Sequence, residues 1–146
     1  MSTATIPRPA MILGAAGLLP FGAGALALLV GPETIQSFAE TALLAYGAVI
    51  LSFMGGCRWG FAAAGLGAGP DWMPLGLSVL PALLGWGAML AIPFTGAALI
   101  IAAGFAALFA ADVALTRAGG APLWWPRLRL PLTLGAAGCL TLGAIA

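Results

Sequence analysis

Residues 46–60 read YGAVILSFMGGCRWG. No charge interrupts the run until Arg58, which stands behind two glycines and directly before Trp59. Taken from Thr41 to Ala64, the segment is as long as a bilayer requires, since a spanning helix needs about 20 mainly apolar residues. The fold turns on whether the rest of the chain reads the same way.

It does. Of the 146 residues, 62% are hydrophobic and 6% charged, where soluble domains carry about 25% charged residues. Such a chain cannot cover a water-facing surface, so lipid must solvate it. Five stretches are long and apolar enough to span: about residues 10–30, 41–64, 73–92, 96–116 and 130–146. Turn residues and five of the nine charged residues fall between them, in Gly31-Pro32-Glu33 and in segments 65–74, 93–96 and 117–129. Short connections make consecutive helices antiparallel neighbours. The expected fold class is therefore an all-α membrane protein, an antiparallel bundle of five transmembrane helices forming a single integral-membrane domain over 1–146.

Two local features qualify this picture. Pro32 suits the first position of a helix and Glu33 its first turn, yet a helix from there to Ala64 would be roughly 50 Å long and overrun the hydrocarbon core. Residues 33–40 are thus expected either to project out of the membrane or to lie as a short interfacial turn, and the turn is the preferred reading. Pro20 and Pro81 fall within spans, where each removes a backbone donor and can kink its helix.

Orientation follows from the arginines, because cytoplasmic loops carry the excess of cations. Arg8, Arg58, Arg117, Arg127 and Arg129 all fall on one side if the N-terminus is inside, and the opposite connections carry none. This predicts a cytoplasmic N-terminus and an outer C-terminus. A cleavable leader ending near Ala25-Leu26-Ala27 is the alternative, but the apolar run continues through Val30 and exceeds a typical leader core of about 7–15 residues.

Composition also excludes chemistry. There is no histidine, which removes imidazole-ligated haem, the usual zinc and copper sites, and Ser-His or Cys-His catalysis. Cys57 and Cys139 form no CxxC pair and read as reduced, buried small hydrophobes. A net charge of +1 offers no basic stripe for nucleic acid. No catalytic, cofactor-binding or metal site is expected, and the chain is not expected to be an enzyme.

The polar and small residues that remain are the candidates. Ala48, Ser52, Gly56 and Gly60 recur every four residues, a stripe that lets helix backbones approach closely. It is read first as packing inside the bundle and second as a contact face for another subunit. Ala98, Ala102, Ala106 and Ala110 make a matching ridge on the fourth span. If the two ridges meet, Arg58 comes near Asp112, and an interhelical ion pair at the cytoplasmic edge is expected. The competing readings are a snorkelling Arg58 beside interfacial Trp59, and an Asp112 paired with Arg117, Arg127 or Arg129. Segment 117–129, RAGGAPLWWPRLR, reads as a shaped turn with Trp124 and Trp125 at headgroup level and its arginines on anionic lipid.

Four motifs in order, GLLPF (17–21), YGAVILSFMGGCRWG (46–60), LSVLPALLGW (77–86) and Asp112 followed by PLWWPRLRLPLT (122–133), resemble domain-of-unknown-function family 3429, the transmembrane protein 69-like family. The resemblance covers nearly the whole chain. Relatives carry histidine or arginine before the motif tryptophan and this chain carries Arg58, so a histidine-based role would not be general. The resemblance implies a small polytopic protein of bacterial inner membranes and of mitochondria, and it supplies no activity. It singles out Ser52, Gly56, Arg58, Trp59, Gly60, Asp112, Arg127 and Arg129 as family-motif positions. The function expected is a non-catalytic accessory or assembly factor packed against a membrane complex. The alternative is a small transporter or ion pathway using Asp112 and Arg58. The partners expected are the lipid bilayer and a membrane protein or second copy docked through the small-residue faces.

Overall fold

In the computed structural model, which describes residues 5–146, the chain forms six helices: α1 (Arg8–Ala16), α2 (Leu19–Val30), α3 (Glu33–Ala63), α4 (Trp72–Ala91), α5 (Phe94–Arg117) and α6 (Trp125–Ala144). No strand occurs among the described residues. The first two helices make one apolar stretch, Arg8–Val30, broken at Gly17-Leu18. Pro20 has no N–H to give the Ala16 carbonyl, so the hydrogen-bond ladder lapses there. The Tyr46 hydroxyl of α3 donates to the Gly17 carbonyl at 3.0 Å. Pro81, by contrast, is buried within α4, which stays continuous around it.

Four stretches are long and apolar enough to cross a membrane: Arg8–Val30, Glu33–Ala63, Trp72–Ala91 and Phe94–Arg117. Helix α6 has 20 residues, but Arg127 and Arg129 in its first turns keep it below that hydropathy. The expected interfacial turn at 33–40 is absent, because α3 is continuous over 31 residues from Glu33. At 1.5 Å per residue that is roughly 46 Å, so part of the helix extends beyond a hydrocarbon core of about 30 Å. Buried Ala39, Leu43 and Leu44 explain the continuity: tertiary packing, rather than local propensity, carries the helix back toward Pro32.

Helices α3 and α5 stop in the same way. Gly65 and Gly119 adopt φ of 79° and 78°. Leu66 N–H reaches the Phe61 carbonyl and Gly120 N–H the Leu115 carbonyl, at 3.0 and 2.9 Å. These are Schellman ends, which use a left-handed residue to satisfy the last carbonyls. The loops that follow touch, since a Cβ on Gly67 would lie 2.9 Å from the Gly120 Cα. Both therefore sit at one end of the bundle.

In section the helices form a closed ring, α2–α3–α4–α5–α6 and back to α2, with α3 also packed across the middle on α5 and α6. Phe21, Leu43, Leu51, Ile101, Phe105 and Leu140 fill the centre. Helix α1 hangs outside the ring, resting on α6 and burying none of its residues.

The small-residue stripes behave differently from the expectation that they pack inside the bundle. Ala48 does so, since a Cβ on Gly85 of α4 would lie 3.0 Å from its Cα. Gly56 and Gly60 are exposed, with no atom within 4 Å of where a Cβ would stand. A repeat of four residues advances about 40° beyond a full turn, so three steps carry the stripe about 120° around the helix. The inward glycines of α3 are instead Gly47, against Ile101 and Leu140, and Gly55, against the Ser78 carbonyl and Pro81. On α5, Ala98 and Ala102 are buried, while Ala106 and Ala110 are exposed.

Candidate functional site: a buried arginine–aspartate–arginine cluster

Asp112 lies on the inward face of α5, in line with Phe105, Leu108 and Thr116. Its Oδ1 accepts from Nη1 of Arg58 on α3 at 2.8 Å, and its Oδ2 from Nε of Arg129 on α6 at 2.9 Å. The carboxylate is 1% exposed, Arg129 2% and Arg58 12%. One turn on, the Thr116 hydroxyl donates to the Asp112 backbone carbonyl at 2.9 Å. The cluster thus ties three helices at the arginine-bearing end of the bundle. Two guanidinium groups share one carboxylate, which leaves one formal positive charge in a buried setting. Each ion costs several kcal/mol to desolvate, and only good geometry offsets that cost. Here each carboxylate oxygen has its own charge-assisted donor.

Arg58 and Asp112 meet across α3 and α5, and Arg58 is not a freely snorkelling anchor. The second arginine departs from the expected turn at 117–129. Only 118–124 is irregular, and Arg129 sits inside α6 rather than at a headgroup. The reason lies in Pro126. It falls in the first turn of α6, where a missing N–H costs nothing and the fixed φ favours a helix start. With the helix begun at Trp125, the residues Trp125, Arg129, Thr133, Ala136, Leu140 and Gly143 form one buried stripe. Trp125 is consequently buried, not interfacial, with its ring edge-to-face on Phe61 at 5.1 Å. Sequence reasoning missed Trp125 and Thr133 as members of this region, although their spacing of four about Arg129 carried the signal.

The other family-motif positions scatter. Ser52 is half-buried, and Gly56, Trp59, Gly60 and Arg127 are exposed. Cys57 and Cys139 are free thiols, half-buried rather than fully buried. Among the described residues, no group of three or more His, Cys, Asp or Glu could hold a metal ion.

Three buried polar atoms near the cluster lack hydrogen-bond partners among the described residues: Arg129 Nη2, Trp125 Nε1 and Thr133 Oγ1. Arg129 and Trp125 also line a cavity of about 430 Å³ bounded by α1, the α1–α2 break, α2, α3, α5 and α6. Its other walls are almost wholly apolar.

A ring of apolar helices closed on a buried ion cluster defines a polytopic helical membrane protein. The chain belongs to the family described as "Protein of unknown function (DUF3429)", which it matches over residues 6–145. It is 43% identical over 134 residues to Transmembrane protein 69 of Xenopus tropicalis, an alignment covering 88% of this chain and 50% of that protein. It is 41% identical over 85 residues to Transmembrane protein 69 of Mus musculus, covering 58% and 34%. The chain thus spans about half the length of the first relative and a third of the second. No solved structure matches it.

Proposed function

We propose that this protein is a non-catalytic accessory or assembly subunit that packs against a larger complex in a bacterial inner membrane. The observation that carries the reading is the outward pair Gly56 and Gly60, one turn apart on α3, which the chain's own fold leaves unpacked. Gly47 and Gly55 on the same helix are used for internal close approach, so the helix holds one small-residue face to spare. In lipid, helix association relies on such close approach because burial from water no longer drives it. Phe53 and Trp59, both exposed beside the pair, would add aromatic contact area to a partner.

In this proposal α6 is a fifth span and the N-terminus is cytoplasmic. Arg129, which lowers the hydropathy of α6, is turned into the ion cluster rather than toward lipid, and the five arginines gather at one end. The alternative of transport through Asp112 and Arg58 has less support, because both carboxylate oxygens are already occupied by guanidinium donors.

The test is purification from the native membrane at native expression level in mild detergent, with mass spectrometry of what co-purifies. A stoichiometric partner lost in Gly56→Leu/Gly60→Leu, with the monomer still folded, is the expected result. A homogeneous preparation with no partner would reject the accessory reading and direct attention to liposome transport assays on Asp112 variants.

A further inference from the structure

The cavity beside the ion cluster has two unlike ends. At the arginine-bearing end it is lined by Trp125 and Arg129, together with Ala10 of α1 and Cys57 of α3. Toward the middle of the bundle it is lined by Phe21, Tyr46, Phe105 and Ala136. Tyr46 has its hydroxyl engaged by Gly17, so this deep end offers only apolar surface and ring faces. The volume of about 430 Å³ falls within the roughly 300–1,000 Å³ of small-molecule sites. Leu13 and Phe53 form part of its wall and are largely exposed, so the cavity opens on the lipid-facing flank between α1 and α3.

Two independent features call for an anion at the polar end. The cluster of two arginines and one aspartate is left with one positive charge, and buried charge in a membrane is costly unless paired. In addition, Arg129 Nη2 and Trp125 Nε1 are buried donors without acceptors among the described residues, a situation that native folds avoid. Asp112 already uses both oxygens on Arg58 Nη1 and Arg129 Nε. Arg129 and Trp125 both line the cavity, so a second carboxylate entering it would offer acceptors to Arg129 Nη2 and to the Trp125 indole. Guanidinium matches carboxylate geometry well.

We propose that this cavity binds one long-chain fatty acid, its carboxylate held by Arg129 Nη2 and Trp125 Nε1 and its tail lying between α1, α3 and α6 toward Phe21 and Ala136. A volume of about 430 Å³ suits one chain rather than the two of a phospholipid. The assignment is independent of the partner reading above, since a chain that joins no complex can still hold this ligand.

The experiment is native mass spectrometry of the intact protein released from detergent micelles, with oleate, oleyl alcohol or phosphatidylglycerol added at equal concentrations. One oleate per chain is expected, with little retention of the alcohol. Trp125→Phe, which keeps the ring and removes the donor, should weaken oleate binding about tenfold. Ala10→Phe fills the arginine-bearing end of the cavity and should abolish binding. Leu13→Trp at the rim serves as a second filler should Ala10→Phe fail to fold. Equal retention of oleate and oleyl alcohol would overturn the carboxylate site. Displacement of oleate by phosphatidylglycerol would overturn the fatty acid as occupant, and full binding in a folded filler variant would move the ligand elsewhere.

Discussion

Gly55 lies against the Ser78 carbonyl and Pro81 of α4, whereas Gly56, one residue on, has no atom within 4 Å of where a Cβ would stand. The two share a sequence context and differ only by about 100° around the helix axis. The first belongs to the side of α3 that also carries Gly47, Leu51 and Met54 into the ring. The second belongs to the side that carries Phe53 and Trp59 to the exterior. In water, exterior glycines would be little more than weak points in a helix. In a bilayer they are places where another helix could come close. The same residue type therefore has two physical meanings on one helix, and the neighbours decide which applies.

Substitutions should separate the two sides by the size of their effect on stability, read as unfolding of the purified protein in SDS-containing mixed micelles. Inside the ring, Asp112→Ala leaves two buried arginines without their carboxylate and should cost about 3–5 kcal/mol. Wild-type stability in that variant would mean that the cluster contributes nothing to the fold. Gly55→Leu forces a side chain into the α4 backbone, and a loss of about 3 kcal/mol is expected from such overpacking; a loss below that of Gly56→Leu would invert the assignment of faces. Tyr46→Phe removes the hydroxyl that caps the Gly17 carbonyl at the α1–α2 break and should cost about 1 kcal/mol, seen also as faster amide exchange around residues 17–21. On the outer side, Gly56→Leu should change monomer stability by no more than about 0.5 kcal/mol. A larger loss there would show that this face is packed within the chain.

Arg58 and Arg129 offer a second contrast within the cluster. Arg58 lies in an apolar run and meets Asp112 across the bundle, and their pairing follows from two helices ending at one side of a membrane. The reciprocal exchange Arg58→Asp with Asp112→Arg would restore a simple pair. It should not restore this cluster, because Asp112→Arg sets a guanidinium against Arg129. Stability close to wild type in the double variant would reduce the role of Arg129 to a bystander.

The apolar segments were legible from composition alone, and α4 and α5 begin and end within two residues of the stretches read from sequence. Three features were not. Segment 33–40 exceeds what a bilayer needs, and nothing local in it announces that Ala39 and Leu43 are buried and hold it helical. The stripe from Ala48 to Gly60 is regular in sequence, but a repeat of four drifts around the helix axis and so does not stay on one face. Arg129 looked like a loop cation because Pro122 and Pro126 suggested a turn, when Pro126 in fact opens a helix.

What the sequence by itself determined is the solvent and the elements. So little charge, most of it outside apolar runs of spanning length, requires lipid around helices, since only a helix satisfies its own backbone there. What only the tertiary structure decided is which side of each helix looks inward. That choice depends on how α2 through α6 close their ring, and it alone brings Arg58, Asp112 and Arg129 together and turns Gly56 and Gly60 away. In an apolar helix facing apolar surroundings, both faces have much the same composition, so sequence hydrophobicity carries little information about which one the fold buries.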